Sequence, residues 1–399
     1  MKKSTDNAAV QKPTLVSVGT VNTNSIDQIL PVAVDAGSGN IAICFERDGK
    51  IEYHIIPARM QRGNTQSLAI EAGSSWKTDG EHGESAVFSV VSGGNDLVNT
   101  CDPNYQISPA HRVLVINTLA QLGLGGRNII LADTLPINQF YSDSNVIDQK
   151  RRQDKRDSLM KPATNVPNKY EAPNILEVLV YPEAIPAYIS ASVTPDMQAN
   201  PELEGAESFI VVDIGRFTCN IAVLDKNYQI VKRGTFEHGV YRLLERVHAL
   251  LQENADKLNI AEPKEIHLES IDMAIRQGYI GSRLKSAESK RIMIHDIVKQ
   301  AAKEFADDII RNDIRAVHRN LSDIDVLILA GGGANYIGGK LDYLDNYTTE
   351  WECPVYVHDN PEFANVRGVY MAMQDDVSSI LAELELKQLE EKAEKEKEV

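Results

Sequence analysis

The feature that most limits how this 399-residue chain can fold is a hairpin that occurs twice. PVAVDAGSGNIAICFERDGK begins at Pro31 and FIVVDIGRFTCNIAVLDKNY at Phe209. Each reads as an apolar strand, an Asp-x-Gly turn, and a second strand opening on Ile-Ala before another polar turn. Asp35 and Asp213 lie 178 residues apart. A hairpin repeated at that scale predicts two related lobes rather than a short-period solenoid. The length suffices for two domains with sizeable cores, and 43% hydrophobic with 25% charged residues is ordinary for a globular α/β protein.

The turns carry chemistry of their own. Backbone N–H groups can cradle a phosphate where side chains are small, and a neighbouring carboxylate can hold Mg²⁺ through water. Asp35, Gly37, Ser38, Gly39 and Asn40 supply both, although a single DxGxG is also an ordinary turn. In the second turn Arg216 and Phe217 stand where small residues are expected. LILAGGGANYIGGKL places Gly331, Gly332 and Gly333 after a buried strand, where a flat group can lie on the backbone and the next helix can start near a phosphate. Close strand–helix packing would use the same glycines. Glu183, in VYPEAIPA, sits at a strand-to-helix turn, suited to orienting a water or simply to complementing the helix dipole.

Around these motifs the pattern is coarse. Residues 1–28 read as a polar N-terminal extension without the apolar core of a secretory signal. Residues 29–200 form a first lobe with an inserted subdomain at 59–108. Residues 207–374 form a second lobe with an insertion at 262–313, and 375–399 a charged C-terminal tail. In that tail Val377, Ile380, Leu381 and Leu384 suggest that its first part packs as a helix. A long amphipathic helix is expected from Ser286 to Val317, and the basic run Lys150–Arg156, broken by Asp154, as a solvated helix face.

Composition excludes several functions. A formal charge of −16 argues against a broad nucleic-acid surface. No apolar run reaches the roughly 18 residues of a membrane span. Four scattered cysteines form no CxxC or Cys/His cluster, which argues against structural zinc or a disulfide framework and for a reducing cytoplasm.

Taken in order, VDAGSGNI, ADTLPINQFYSDSN with its basic helix, YPEAIPA, VVDIGRFTCNIAV, FEHGVYRLLERV, LILAGGGANYI and FANVRGVYMAM run collinearly from 29 to 374. This order resembles the actin, sugar kinase and DnaK-type chaperone superfamily, and within it the actin-like plasmid-segregation ATPases of the ParM (StbA) family. The resemblance implies an actin-like α/β fold: two lobes, small inserted subdomains and a nucleotide cleft between them. It implies that Asp35, Gly37, Ser38, Gly39 and Asn40 line one phosphate loop, and Asp213, Gly215, Arg216 and Thr218 the other. Glu183 would position the attacking water and Asp213 would sit near it. Asp35 and Asp213 would hold Mg²⁺ through water, and Gly331, Gly332, Gly333 and Ala334 would flank the adenosine. The implied cofactors are ATP (or GTP) and Mg²⁺. The implied partners are further copies of the chain in a helical filament and a plasmid-encoded DNA-binding adaptor, with no direct nucleic-acid or membrane contact. Two departures stand out: Arg216 replaces the family's second glycine, and Asn220 replaces an aspartate. A small-molecule kinase of the superfamily and a non-hydrolysing scaffold are the alternatives, but no sugar-binding cluster is evident and the acidic tail is too polar to insert in a bilayer.

Overall fold

The structure is a computed structural model and describes residues 29–64, 73–93, 96–227, 229–260 and 262–397, apart from the side chains at 263, 269 and 384–397. The 1–28 extension, Leu384 and parts of the 59–108 insertion therefore lie outside the described residues.

The duplicated hairpin produces a duplicated sheet. In the first lobe β1 (Leu30–Ala36), β2 (Asn40–Arg47) and β3 (Lys50–Pro57) run antiparallel, joined at Asp48-Gly49 by a turn whose two residues both have positive φ. Three short strands follow in the insertion: β4 (Met60–Arg62), β5 (Ser75–Asp79) and β6 (Ser85–Val90). β7 (Asn128–Leu135) returns parallel to β1 after the Pro109–Leu119 helix. β8 (Ala163–Asn165) pairs with β5, so residues beyond 108 complete the inserted subdomain's four-stranded sheet. β9 (Asn174–Pro182) pairs parallel with β7.

The second lobe repeats the plan with β10 (Ser208–Ile214), β11 (Cys219–Asp225) and β12 (Ile230–Phe236). A two-residue ribbon, β13 (Tyr279–Ile280) and β14 (Ile292–Met293), precedes β15 (Val326–Ala330) and β16 (Val355–Val357). The sheet orders are β3-β2-β1-β7-β9 and β12-β11-β10-β15-β16, identical in plan. The registers match too: Asp35 pairs with Ala42, and Asp213 with Asn220.

Strand periodicity divides each sheet into two kinds of face. Val32, Val34, Ile41 and Ile43 fill the outer core of the first lobe, whereas Ala33, Ala42 and Ala132 face the other way. Those small residues let a helix approach closely, and the helix is Ala364–Lys397, through Val366, Val369, Tyr370, Met373 and Val377. The second lobe's corresponding face, with Val211, Ala222 and Ala330, is covered by the Ile185–Ala191 helix through Ala187, Tyr188 and Ala191. The helix following β9 thus covers the second sheet, and the helix following the second lobe covers the first. A boundary at 374 falls inside that closing helix, whose residues from Val366 to Leu381 pack on the first lobe rather than forming a separate tail.

The expected helix from 286 to 317 starts at His295; residues before it form a 3₁₀ turn and β14, whose pairing with β13 competes with helix. Its path then includes a π segment at Phe305–Ile310 before Arg311–Val317.

Candidate functional site between the two hairpin turns

The two Asp-x-Gly turns face each other across the lobes. A Cβ placed on Gly39 would collide with the stem of Arg216, approaching its Cγ to 2.9 Å. Each turn is fastened from behind by its carbonyl groups. In the first, Thr100 Oγ1 donates to Ser38 O at 2.7 Å and the Ala58 N–H to Gly39 O at 3.0 Å. In the second, the N–H groups of Gly239, Val240 and Tyr241, opening the Val240–Glu253 helix, donate to the carbonyls of Phe217, Gly215 and Arg216 at 2.9–3.0 Å. A trans peptide directs its C=O and N–H oppositely. The N–H groups of Gly39 and Asn40, and of Arg216, Phe217 and Thr218, therefore point away from these anchors, the arrangement of an anion-binding nest. Gly37 and Gly215 open the two turns; the Gly215 N–H is used within its own, donating to Thr218 O at 2.8 Å.

Three carboxylates converge behind the turns, Glu183 and Asp213 buried and Asp35 partly buried. Asp35 and Asp213 end the equivalent strands β1 and β10, and Glu183 follows β9. Thr134 Oγ1 donates to Asp35 Oδ1 at 2.7 Å, Asn365 Nδ2 to Asp213 Oδ2 at 2.9 Å, and Asn220 Nδ2 to Glu183 Oε2 at 2.6 Å. Asn220 is itself held by Thr235 Oγ1 at 2.9 Å. Its amide is a donor aimed at Glu183, which an aspartate at this position would replace with a like charge. Burial, then the neighbouring Asp35 and Asp213, push the Glu183 carboxyl well above the usual carboxylate range. Burial and then Asp35 push Asp213 up to about 7. Burial also raises Asp35, against the Thr134 hydrogen bond.

Ala184 holds Glu183 in place at the cost of backbone strain. Its φ of 71° and ψ of −45° lie in a region an alanine rarely enters. The Glu183 N–H donates to Leu135 O at 2.8 Å, and the Ala184 N–H to Asn365 Oδ1 at 3.2 Å. Pro186 falls in the first turn of the following helix, where its missing N–H is harmless.

The glycine loop closes the site from the second lobe. Gly331 has a φ of 77°, and a Cβ there would lie 2.5 Å from Ile214 O and against the Asp213 carboxylate. Gly332 faces open space. Gly333 donates to Ile214 O at 2.8 Å, and Ala334 is fully buried. The helix after the loop is one turn, Ala334–Ile337, too short to contribute the expected dipole at a phosphate.

Arg216 does not lie free. Its stem rests on Gly39 and its Nη1 pairs with Asp272 Oδ2 at 3.2 Å. Asp272, on the Leu268–Gln277 helix, also accepts the Tyr336 hydroxyl at 2.8 Å.

The largest correction concerns the basic run. Lys155 is fully buried: its Nζ pairs with Asp133 Oδ2 at 2.9 Å and donates to Gln106 Oε1 at 2.7 Å and to Thr134 O. Only the Lys150–Asp154 side of this helix behaves as a solvated face. Asp133 stands alone among the apolar residues of β7, and a buried carboxylate needs a cation, so the strand itself carried the signal for Lys155. Asn365 had no sequence signal.

The donor set suits a hard cation. Oxygen ligands predominate, and among the described residues no three His, Cys, Asp or Glu side chains are grouped closely enough to hold an ion directly. Asp35 and Asp213 fit an outer role toward a hydrated Mg²⁺ arriving with phosphates.

The crowding of carboxylates has a pH signature. Because burial raises the folded-state affinity of Asp213 for its proton, the folded chain binds more protons than the unfolded chain between the ordinary carboxylate value of 3.8 and about 7. This contribution to stability is present at the acidic end of that window and lost as pH rises through it. The nucleotide-free protein is therefore expected to melt higher at about pH 6 than at about pH 8 by calorimetry, and Asp213→Asn to flatten the difference.

The comparisons agree with this architecture. A family model described as plasmid segregation protein ParM, N-terminal, matches residues 30–194, and one described as archaeal actin homologue MreB-like, C-terminal, matches 211–343. No curated protein sequence matches the chain significantly. Among solved structures, the archaeal actin homolog Ta0583 superposes with a TM-score of 0.64 at 18% identity, over 87% of this chain and 100% of that one; its ADP complex gives 0.61. A non-polymerisable pCBH ParM mutant gives 0.61 at 19% identity, over 87% and 99% of the two chains. A 15-stranded ParM filament from Clostridium botulinum gives 0.56 at 17%, over 87% and 99%. With matching lobes, a duplicated sheet plan and the motifs in one order, the chain has the actin-like fold, its first lobe similar to the ParM (StbA) family and its second to the archaeal MreB-like actin homologues.

Proposed function

We propose that this protein hydrolyses ATP to drive assembly and disassembly of its own filaments, and that these move plasmid DNA through a DNA-binding adaptor. The observation that carries the reading is the convergence of two carbonyl-anchored turns on three carboxylates, two of them buried, drawn from both lobes. N–H groups of the turns would bind the phosphates, and Gly332 would leave room for the adenosine. Asp35 and Asp213 would hold a hydrated Mg²⁺, which supplies charge neutralisation at the phosphate oxygens. Glu183, oriented by Asn220, would accept a proton from the attacking water. Its raised proton affinity makes the ionised carboxylate a stronger base than an ordinary one.

Self-association is supported by the ParM filament among the similar structures, and nucleotide use by the ADP complex of Ta0583. A head-to-tail contact that does not close generates a polymer. The charge of −16 favours an adaptor over direct DNA binding. No helix among the described residues is long and apolar enough to cross a membrane, and the four cysteines are free, which fits work in the cytoplasm.

Light scattering and negative-stain microscopy of purified protein, with and without ATP and Mg²⁺, test the reading. Filaments that depend on nucleotide are expected. Their absence under every nucleotide condition, with phosphate transfer to a small molecule, would assign the protein to the kinases instead. Arg216 tests the site more finely. If its guanidinium leaves Asp272 for a phosphate, Arg216→Ala weakens binding of a fluorescent ATP analogue about tenfold. Tighter binding in that variant would mean that Arg216 obstructs the turn.

A further inference from the structure

The geometry points to Lys155 as a positioning residue for hydrolysis, acting through a buried polar relay that ends on the Asp35 carboxylate. The inference rests on the nucleotide-hydrolysis reading above. Lys155 comes from the Gln149–Met160 helix and touches neither turn, yet each of its three partners leads to the end of β1. Gln106, which accepts from Lys155 at 2.7 Å, donates from Nε2 to Ala36 O at 3.1 Å. Asp133, paired with Lys155 at 2.9 Å, accepts from the Ala36 N–H through Oδ1 at 3.4 Å and from the Thr134 N–H at 2.8 Å. Thr134, whose carbonyl accepts from Lys155, donates its hydroxyl to Asp35 Oδ1 at 2.7 Å.

One ammonium group thus fixes the N–H and C=O of Ala36 and the rotamer of Asp35. An ammonium suits the task, since it donates to two acceptors and pairs by charge with a third at once. His111 packs beside the pair, 3.5 Å from Asp133 Oδ2, where burial and the neighbouring Lys155 hold the imidazole neutral. Lys155 is therefore the cation that balances Asp133. The tip of the first turn is held separately, by Thr100 and Ala58. This separation divides the roles. Losing the relay should disturb the aim of Asp35 while leaving the phosphate-facing tip in place.

Removing Lys155 alone would strand the Asp133 charge in the core and could unfold the lobe. Two other variants avoid this. Thr134→Val keeps the ion pair and cuts only the link to Asp35. Lys155→Met with Asp133→Leu removes both charges together. Expected for both are melting temperatures close to wild type, an affinity for mant-ADP without Mg²⁺ within about threefold, and kcat for phosphate release about 10- to 100-fold lower, as for other small misplacements of catalytic groups. The tightening of mant-ADP binding on adding Mg²⁺ should also be lost, which gives a readout independent of turnover. Wild-type kcat together with wild-type Mg²⁺ dependence in either variant overturns the assignment. A wild-type protein that binds no nucleotide defeats the hydrolysis reading, and this proposal with it. Normal wild-type turnover with unaffected variants defeats the relay alone.

Discussion

Glu183→Gln is expected to lower the rate of phosphate release by about 100- to 10,000-fold, the range spanned by loss of a positioned general base. The substitution preserves shape, and its side-chain oxygen can still accept the Asn220 amide that now reaches Glu183 at 2.6 Å. It removes one of three mutually repelling carboxylates, so nucleotide affinity should hold or rise. Filaments should form with ATP and persist, and Glu183→Ala should likewise leave assembly intact while slowing disassembly. Stopped-flow phosphate release and the decay of light scattering after ATP is exhausted would measure both. Loss of nucleotide binding in Glu183→Gln would mean that Glu183 holds the ligand rather than the water.

The second large effect is expected far from any phosphate. At Gly368 the closing helix crosses the Ile185–Ala191 helix so tightly that an added Cβ would lie far inside contact distance of the Pro186 carbonyl, with its carbon only 2.8 Å from the Pro186 Cα. Neither partner can yield, because both are backbone. Gly368→Ala must push the helices apart, at roughly 3 kcal/mol by analogy with overpacked cores, lowering the melting temperature by about 6–12 °C. The consequence would extend to the site. Asn365, one helical turn earlier, joins the Ala184 N–H to the Asp213 carboxylate. Gly368→Ala should therefore reduce hydrolysis more than its loss of stability explains, measured at a temperature where the variant remains folded. An unchanged melting temperature would show that the helix crossing has room for a methyl group.

The two lobes and most of the glycine-bearing turns were legible in the chain because they depend on local rules. Alternating strands, Asp-x-Gly turns and a domain-scale repeat each leave a pattern within some 20 residues, and the sheets follow with matched registers at Asp35 and Asp213. The strand and helix around Glu183 were legible for the same reason. Segments whose character depends on a distant partner were not. Residues 286–294 carry helical periodicity, yet pairing with β13 takes them out of the helix. The closing helix was recognisable as a helix, but only the small residues of the first sheet determine which lobe it covers.

For the site, the sequence by itself named the groups proposed for the chemistry: Asp35, Glu183, Asp213 and two turns able to present N–H groups. Tertiary structure decided how those groups are held. It turned Asn220 from a missing acid into a donor to Glu183, gave Arg216 a partner in Asp272, and drew Lys155 out of an apparently solvated run into the core. The reason is the same in each case. Ionisable and amide side chains take their roles from burial and from the opposite charge or hydrogen-bond partner they meet, and those partners lie 22 to 56 residues away in sequence.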